Sequence, residues 1–347
     1  MAERHLTVHI FNPETDFALA IGDAHYSPPA KVLSFRREMA LFPLSYAAKG
    51  DVILSLDNIN PITTPLYHHF CQKAKNKGIT IKTPREISQY LNKKRAAGCL
   101  PFILPWGWNH SLRRDLKHMG VEEDLLKTES EIDSIRLLSH RRTTISFNEI
   151  LQSSLSAQDI PVAEEFCSTE KALEFCSMKG DVFLKAPWSS SGRGIMRTAG
   201  LNEKKIEEWV RGCINRQGSV MAEIAHDRTG DFATEWWIKD GEPYYMGLSS
   251  FSTTPDGRYK GNLYLSENKL SRRLSLLSPQ WGPEIIEAQK EGLKKLIAPN
   301  YSGPVGIDML TTSSGALVPC VEINLRMTMG MAVIMQRNIK SDHSHTL

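Results

Sequence analysis

The stretch from Gly303 to Arg326, GPVGIDMLTTSSGALVPCVEINLR, decides the fold. Small turn-forming residues around Ser313-Ser314-Gly315 separate two apolar runs, which indicates two strands joined in a hairpin. In the second strand, apolar residues alternate with Glu322 and Asn324, so both polar side chains leave the same face. With the turn near residue 314, Asp308 is expected on the partner strand, diagonal to Glu322 and about 7–8 Å away. The sequence therefore predicts three oxygen-bearing side chains on one face of an otherwise apolar hairpin.

Carboxylate and amide oxygens are the ligands that Mg²⁺ prefers, whereas zinc favours nitrogen and sulfur. A solvated face of an antiparallel sheet is the alternative interpretation of these polar residues. Asp308 lies between Ile307 and Met309, however, and an acidic residue in such a setting favours a functional role. We therefore predict a metal site formed by Asp308, Glu322 and Asn324.

A candidate phosphate site follows the predicted strand that ends at Lys185. The loop Ser189-Ser190-Ser191-Gly192-Arg193-Gly194 contains three hydroxyls and two glycines, so its backbone amides can approach an anion closely, beside the lysine. It is not a Walker loop, in which the lysine follows the glycines, nor a kinase glycine-rich loop, which precedes its strand lysine. An ordinary hairpin turn next to a surface lysine is the alternative interpretation.

Length and composition limit the class of protein. The 347 residues exceed the roughly 100–200 residues of one typical domain, so two or three domains are expected. Hydrophobic residues make up 41% and charged residues 23%, which excludes a disordered, collagenous or coiled-coil protein. The formal net charge of +3 is too small to indicate a nucleic-acid partner.

The sequence also predicts the cellular setting. No stretch approaches the roughly 18 consecutive apolar residues of a membrane helix, and the first residues lack the apolar block of a signal peptide. The 6 cysteines form no CxxC pair, so neither a zinc site nor a disulfide framework is indicated. A cytoplasmic protein that has no membrane partner is the expectation.

Strands alternate with helical patterns over residues 1 to about 120, which favours a small α/β domain with a parallel sheet. No GxGxxG motif follows these strands, so a dinucleotide-binding function has no support there. We predict three parts: an N-terminal α/β domain (1–125), a subdomain with the phosphate loop (126–215), and a subdomain with the metal-binding strands (216–347).

The order of the motifs resembles the ATP-grasp superfamily, whose members include D-alanine:D-alanine ligase, biotin carboxylase and glutathione synthetase. The motifs are Lys185 with its glycine-rich loop, VMAEIA at 220–225, GIDML at 306–310 and VEIN at 321–324. The resemblance covers about residues 130–335. It implies an α/β and α+β protein with the ATP-grasp fold, in which two α+β subdomains clasp ATP behind a small parallel-sheet α/β domain.

The resemblance also implies roles for individual residues around ATP. Lys185 would hold the α- and β-phosphates, and the loop at 189–194 would close over the β- and γ-phosphates. Glu223 would form the adenine hinge with the backbone of Ile224 and Ala225, and Asp231 would bind the ribose hydroxyls.

The remaining implied roles belong to the metal and to the reacting groups. Asp308, Glu322 and Asn324 would hold Mg²⁺. Arg326 occupies a position that often binds a substrate carboxylate or phosphate, and it would act in catalysis together with Lys185.

Two positions depart from the family pattern. A lysine normally begins the connector helix, where this chain has Ser139-His140-Arg141-Arg142. An arginine can still bind a phosphate, and the sequence does not decide whether Arg141 or Arg142 does so. Asp308 stands where a glutamate is common.

The implied activity is ligation through an acyl phosphate: a substrate carboxylate attacks the γ-phosphate of ATP, and an amine or thiol then displaces phosphate. ATP and Mg²⁺ are the implied cofactors, and small-molecule carboxylates and amines or thiols are the implied partners. A small-molecule kinase and a nucleotide-binding regulatory protein without turnover are the alternatives. The substrates are left open, and so is the oligomeric state, including a homo-oligomer.

Overall fold

The computed structural model describes residues 5–57, 65–155, 160, 163–189, 194–254 and 259–344. The chain divides into two compact units: residues 1–133 with 332–347, and residues 134–331. The three-part division predicted from the sequence stays a prediction. None of the helices in the described part of the chain has the length and apolar character that crossing a membrane requires.

The first unit contains the predicted parallel sheet, with strand order β3-β2-β1-β4. Leu6, Val8 and Ile10 of the central strand β1 are buried in a core with residues of α4 and α5, and Ile53 of β2 is buried in a second core with Ala74 of α3, so helices cover both faces. Its elements are β1 (His5–Ile10), α1 (Thr15–Ile21), α2 (Ala30–Glu38), β2 (Val52–Leu54), α3 (Pro65–Asn76), β3 (Thr80–Lys82), α4 (Ile87–Ala96), β4 (Leu100–Pro105) and α5 (His110–His118).

The rest of the chain forms two antiparallel sheets and their helices. The elements are α6 (Glu129–Leu138), α7 (Arg142–Ser154), β5 (Glu164–Phe166), α8 (Thr169–Lys179), β6 (Val182–Lys185), β7 (Ile195–Arg197), α9 (Glu203–Gln217), β8 (Val220–Ile224), β9 (Arg228–Lys239), β10 (Glu242–Thr253), β11 (Tyr259–Asn262), α10 (Glu267–Leu277), α11 (Pro283–Gly292), β12 (Gly303–Thr312), β13 (Leu317–Asn324) and α12 (Met329–Ser344).

The smaller of these sheets has the order β5-β8-β6-β7, and its neighbouring strands are antiparallel. Val182 and Leu184 lie on the same face of β6, and both are buried against α8 and α9. Helix α9 begins after Asn202, whose side-chain oxygen accepts a hydrogen bond from the backbone N–H of Lys205 at 3.0 Å. This packing fixes the end of β6, where Lys185 lies.

The larger sheet has the order β11-β10-β9-β12-β13. Asp240 and Gly241 join β9 to β10 with positive φ values of 52° and 75°, as a tight hairpin turn requires. One face of the sheet carries large buried side chains such as Phe232 and Trp236. The opposite face carries the acidic residues of the candidate site, because side chains alternate along each strand.

Candidate functional site

A cavity of about 440 Å³ lies between the two antiparallel sheets, within residues 134–331. Six of the residues singled out from the sequence line it: Lys185, Glu223, Ile224, Asp231, Asp308 and Glu322. Residues up to 137 positions apart in the chain, Lys185 and Glu322, thus face one space. We call this space the cleft.

Lys185 ends β6 and has only 7% of its surface exposed. Its Nζ forms an ion pair with Oε1 of Glu223 on the neighbouring strand β8. A surface lysine next to a hairpin turn is therefore not what the structure shows. The charge of Lys185 faces the cleft and is balanced there by an acidic residue.

Arg141, at the start of α7, is the arginine that points inward. Its Nη1 donates to the backbone oxygen of Ala186 at 2.5 Å and to Oγ of Ser189 at 2.7 Å. Its Nη2 donates to Oε1 of Glu322 at 2.7 Å. Arg142 is 58% exposed and pairs with Glu165 at 2.8 Å. Arg141 is therefore the arginine that lies against the candidate metal ligands, and its contact with a phosphate stays a prediction.

The predicted metal ligands lie together on β12 and β13. Asp308 is paired directly opposite Glu322, which corrects the diagonal placement expected from the sequence. The register shifts between Asp308 and Leu310, so β13 uses four residues where β12 uses two. Pro319 lies in this irregular segment and has no N–H to donate to the ladder, which gives a physical reason for the bulge.

The group of Asp308, Glu322 and Asn324 contains two carboxylates and no cation, so residues outside the group balance its negative charge. Asn324 donates through Nδ2 to Oδ2 of Asp308 at 3.2 Å. Burial, together with the carboxylates of Glu322 and Glu235, raises the pKa of Asp308 to about 8. Burial alone would raise the pKa of Glu322 as well, but the charges of Arg141 and Lys185 hold it below its ordinary value.

This donor set fits a hard divalent cation. Two opposed carboxylates and an amide oxygen on one sheet face supply oxygen ligands, and a cation would counter the burial and the neighbouring carboxylates that raise the pKa of Asp308. Among the described residues, no three His, Cys, Asp or Glu side chains come together as a metal site. The set is therefore two carboxylates and one amide, and solvent and ligand oxygens would complete the coordination.

The cleft is also lined by residues predicted to contact adenine and ribose. Asp231 accepts a hydrogen bond from Thr253 Oγ1 at 2.8 Å and lies 3.3 Å from Arg228. Burial raises the pKa of Asp231, while Arg228 opposes the shift. Ile224 is exposed and lines the cleft. The backbone N–H of Ala225 already donates to the oxygen of Asp181 at 3.0 Å, so the structure does not bring that group to the cleft.

The candidate phosphate loop is described only at its two ends. Ser189 is buried and accepts a hydrogen bond from Arg141. Gly194 has a φ of 70°, and a Cβ there would lie 2.9 Å from Cβ of Ser189, so glycine is required. Ser190, Ser191, Gly192 and Arg193 lie outside the described residues.

Arg326 lies just beyond β13, where its Nη2 donates to Oδ1 of Asn324 at 2.8 Å and its Nη1 to the oxygen of Met327 at 3.1 Å. Arg326, Asn324 and Asp308 thus form one hydrogen-bonded row. The row places a guanidinium beside the candidate metal ligands, where it can meet an anionic substrate.

The sequence reasoning missed Glu235, which lies on the same sheet face. It is almost fully buried and accepts hydrogen bonds from Ser249 Oγ at 3.0 Å and Thr328 Oγ1 at 2.7 Å. Burial raises its pKa to about 7. A carboxylate within the apolar run DFATEWWI was the signal that could have revealed it.

Arg228 and His226 also line the cleft and were missed. Burial lowers the pKa of His226, which faces Glu223 and Lys185. Their position as polar residues directly after β8 was the signal for them in the sequence.

Comparison with known proteins places this geometry in context. No family model matches the chain. Over 171 residues it is 26% identical to the [butirosin acyl-carrier protein]–L-glutamate ligase of Niallia circulans. The match covers 47% of this chain and only 38% of that ligase.

Among solved structures, a biotin carboxylase from Campylobacter jejuni in complex with β,γ-ATP superposes with a TM-score of 0.52 and 15% identity, covering 99% of this chain and 72% of the other. The D-alanyl-alanine synthetase A of Vibrio cholerae gives a TM-score of 0.49 and 12% identity, covering 97% and 94%. Since biotin carboxylase is an ATP-grasp enzyme, the likeness shows that this chain has the ATP-grasp fold. The fold expected from the order of the motifs is confirmed.

Proposed function

We propose that this chain is an ATP-dependent ligase that joins a carboxylate to an amine or a thiol and forms ADP and phosphate. The observation that carries the proposal is the charge arrangement at the cleft, where Lys185 pairs with Glu223 and Arg141 pairs with Glu322, the carboxylate opposite Asp308. The ATP-grasp fold and the partial similarity to a glutamate ligase support it.

The chemistry follows from positioning and charge neutralisation, because phosphoryl transfer requires no protein nucleophile. Lys185 and Arg141 bind the phosphates of ATP, and the adenosine lies toward Asp231. Asp308, Glu322 and Asn324 would hold Mg²⁺, which when bound neutralises the charge that develops on the phosphates.

The substrate carboxylate attacks the γ-phosphate, so that an acyl phosphate and ADP form. The amine or thiol then attacks the acyl carbon, and phosphate leaves. Arg326 is placed to hold an anionic group of the substrate or intermediate beside the metal ligands.

The six cysteines are free, which supports a reducing, cytoplasmic location.

We propose that the activated substrates are small-molecule carboxylates. L-glutamate is the first candidate because of the matched ligase.

Phosphate release from ATP and Mg²⁺ tests the proposal, measured with carboxylates including L-glutamate in combination with amines and thiols. A ligase releases ADP and phosphate in equal amounts only when both substrates are present. ADP without phosphate would indicate a kinase, and binding without turnover a regulatory protein.

The variant Glu322→Gln tests whether the reaction takes place in the cleft. It removes a charge at nearly constant volume, so turnover should fall by about two orders of magnitude or more, while the fold is retained. Glu174→Gln on the exposed face of α8 is the matched control and should leave turnover unchanged. Wild-type turnover in Glu322→Gln would remove the metal assignment.

A further inference from the structure

The bulge in β13 decides which residues of the two strands that carry the candidate metal ligands lie opposite each other. On the turn side of the bulge, Leu310 of β12 pairs with Val318. An unbroken antiparallel ladder continued from that pair would place Asp308 opposite Cys320, two residues before Glu322. In the structure Asp308 pairs with Glu322 instead, because the bulge inserts two residues into β13. The two opposed carboxylates therefore depend on the bulge.

Two buried side-chain amides hold the backbone of this bulge. Gln289 of α11 donates through Nε2 to the carbonyl oxygen of Pro319 at 2.7 Å. Asn148 of α7 donates through Nδ2 to the carbonyl oxygen of Cys320 at 3.1 Å. In the register of the described strands, neither Pro319 nor Cys320 is paired with a residue of β12, and β13 is the last strand of its sheet. The amides therefore supply the partners that buried carbonyl groups require.

The amide of Gln289 is itself held in one orientation. Gln289 is fully buried, and its Oε1 accepts a hydrogen bond from Thr234 Oγ1 at 2.8 Å. Thr234 Oγ1 in turn accepts one from Nε1 of the buried Trp236 at 3.0 Å. Removal of one member of this chain would leave its neighbours buried without a partner. A satisfied polar chain thus connects the central strand β9 to the bulge.

Asn148 links the bulge to the cation of the cleft. It lies seven residues after Arg141, which is two turns along α7 and on the same side of that helix. Helix α7 therefore holds β13 at two points, through Arg141 to Glu322 and through Asn148 to Cys320. Within the described residues, Oδ1 of Asn148 is buried without a hydrogen-bond partner, a cost that an apolar side chain would avoid. The contact with the bulge accounts for an amide at this position.

We propose that Gln289 and Asn148 are positioning residues for the metal site, and that they set the spacing of its carboxylates through the β13 bulge. This inference rests on the proposed ligase function, because it concerns the candidate metal ligands. Neither amide is among the described residues that line the cleft, so each acts through the backbone that carries Glu322. Mg²⁺ requires near-ideal octahedral ligands at about 2.0–2.1 Å, whereas Ca²⁺ accepts a looser set at about 2.3–2.6 Å. A fixed spacing of the carboxylates therefore favours the smaller ion.

Metal binding by the full chain tests the proposal. Electron paramagnetic resonance measures Mn²⁺ bound in the presence of ADP, and competition then gives the affinities for Mg²⁺ and Ca²⁺. ADP without protein corrects for metal held by the nucleotide alone. Gln289→Met and Asn148→Leu remove the donor at similar volume, and each should weaken Mg²⁺ binding at least about 10-fold. Ca²⁺ binding should weaken less than about 3-fold, because its coordination is flexible.

Gln280→Met is the matched control. Gln280 also supports β13 through its side-chain amide, since its Oε1 accepts a hydrogen bond from the backbone N–H of Leu317 at 2.7 Å, on the turn side of the bulge. Its loss should leave both metal affinities unchanged. Ile285→Val, on the same helix as Gln289, removes buried apolar volume without touching an amide, so it shows the effect of lower stability alone.

A milder pair of variants tests Gln289 without replacing it. Thr234→Val removes the hydroxyl that orients the amide and should weaken Mg²⁺ binding by about 3-fold or more. Thr234→Ser keeps the hydroxyl and should bind Mg²⁺ like the wild type. Equal Mg²⁺ affinities in the wild type, Gln289→Met and Asn148→Leu would overturn the proposal. Equal losses of Mg²⁺ and Ca²⁺ affinity would do the same, since the amides would then have a purely structural role.

The wild type distinguishes this inference from the proposed function. Metal binding and ATP turnover by the wild type, together with unaltered metal affinities in the variants, would refute the role of the amides alone. Metal binding that depends on the amides, but without ATP turnover under any substrate combination, would refute the ligase function alone. A wild type that binds none of the three ions would refute the metal assignment on which both depend.

Discussion

The guanidinium of Arg141 makes three hydrogen bonds that a lysine could not make together. It contacts Ala186 and Ser189 through one nitrogen and Glu322 through the other. A lysine has one charged nitrogen and no planar fork, so it could meet Ser189 or Glu322 but not span both with fixed geometry. The arginine therefore connects the base of the candidate phosphate loop to the candidate metal ligands.

Arg141→Ala and Arg142→Ala should separate the two neighbouring arginines. Loss of Arg141 removes the cation that is hydrogen-bonded to Glu322 and a charge-assisted phosphate contact, so the affinity for ATP with Mg²⁺ should fall by about 1.5–3 kcal/mol. Arg142→Ala, on the surface, should change it by less than about 0.5 kcal/mol. Calorimetry that gave equal losses would contradict the assignment.

Glu235 should make the stability of the protein depend on pH. Its pKa is raised from 4.5 to about 7, so its contribution to stability is complete below about pH 4.5 and is lost as the pH rises through 7. Glu235→Gln removes this titration. Between pH 5 and pH 8 the free energy of unfolding of the wild type should therefore fall by about 2–3 kcal/mol relative to the variant.

Urea unfolding of wild type and Glu235→Gln at both pH values measures this difference. The comparison cancels the titration of groups that the two proteins share. A difference that stays constant from pH 5 to pH 8 would show that Glu235 is already ionised in the folded protein.

At the scale of single elements, the sequence predicted which side chains share a strand face better than it predicted which residues of neighbouring strands are paired. Alternation along β13 correctly placed Glu322 and Asn324 on one side, because the period of a strand is a local property. The pairing of Asp308 with Glu322 depends on a bulge in β13 itself, between Val318 and Glu322, which a count from the turn does not reveal. Likewise, two adjacent residues at the start of a helix point in different directions around its axis. The sequence alone does not show which of Arg141 and Arg142 points inward.

The first turn of α12 packs so closely against Glu235 that there is no room for a side chain at Gly330. A Cβ on Gly330 would lie 2.0 Å from Oε1 of Glu235 and 2.3 Å from Oγ of Ser249. Gly330→Ala should therefore destabilise the protein by about 1–3 kcal/mol, as overpacking does in a dense core.

Gly212→Ala in α9 is the control for this prediction. Its Cβ would meet only the flexible end of Arg216, at 3.1 Å, so alanine should stabilise the helix by about 0.5–1 kcal/mol. Melting temperatures of the two variants should move in opposite directions. Two shifts of the same sign would contradict the packing described for Gly330.

At the scale of the whole molecule, strand alternation with helices predicted the parallel sheet of the first unit, and the order of motifs predicted the ATP-grasp fold. What the sequence could not supply is the set of contacts made over long separations. The ion pair of Arg141 with Glu322 and the burial of Glu235 beneath Thr328 arise only after the sheets have packed.

Hydrogen exchange should locate nucleotide binding in residues 134–331, since every cleft residue belongs to that unit. We expect ATP with Mg²⁺ to slow exchange in β6, β8 and β13, because a ligand that binds the folded state suppresses local opening. Peptides from the parallel sheet β1–β4 serve as the internal control. Protection confined to those strands instead would move the nucleotide site out of the cleft.

The two ion pairs of the cleft have a consequence for selectivity among anions. Lys185 is already paired with Glu223, and Arg141 with Glu322. Free orthophosphate would therefore have to displace a carboxylate from each cation and would leave that carboxylate without an ion-pair partner. A nucleotide that is bound to a divalent ion brings a positive charge with it. The ion can bind Glu322 while the phosphates bind Arg141. We therefore expect the cleft to bind simple anions weakly and to prefer a ligand that carries both a negative and a positive charge.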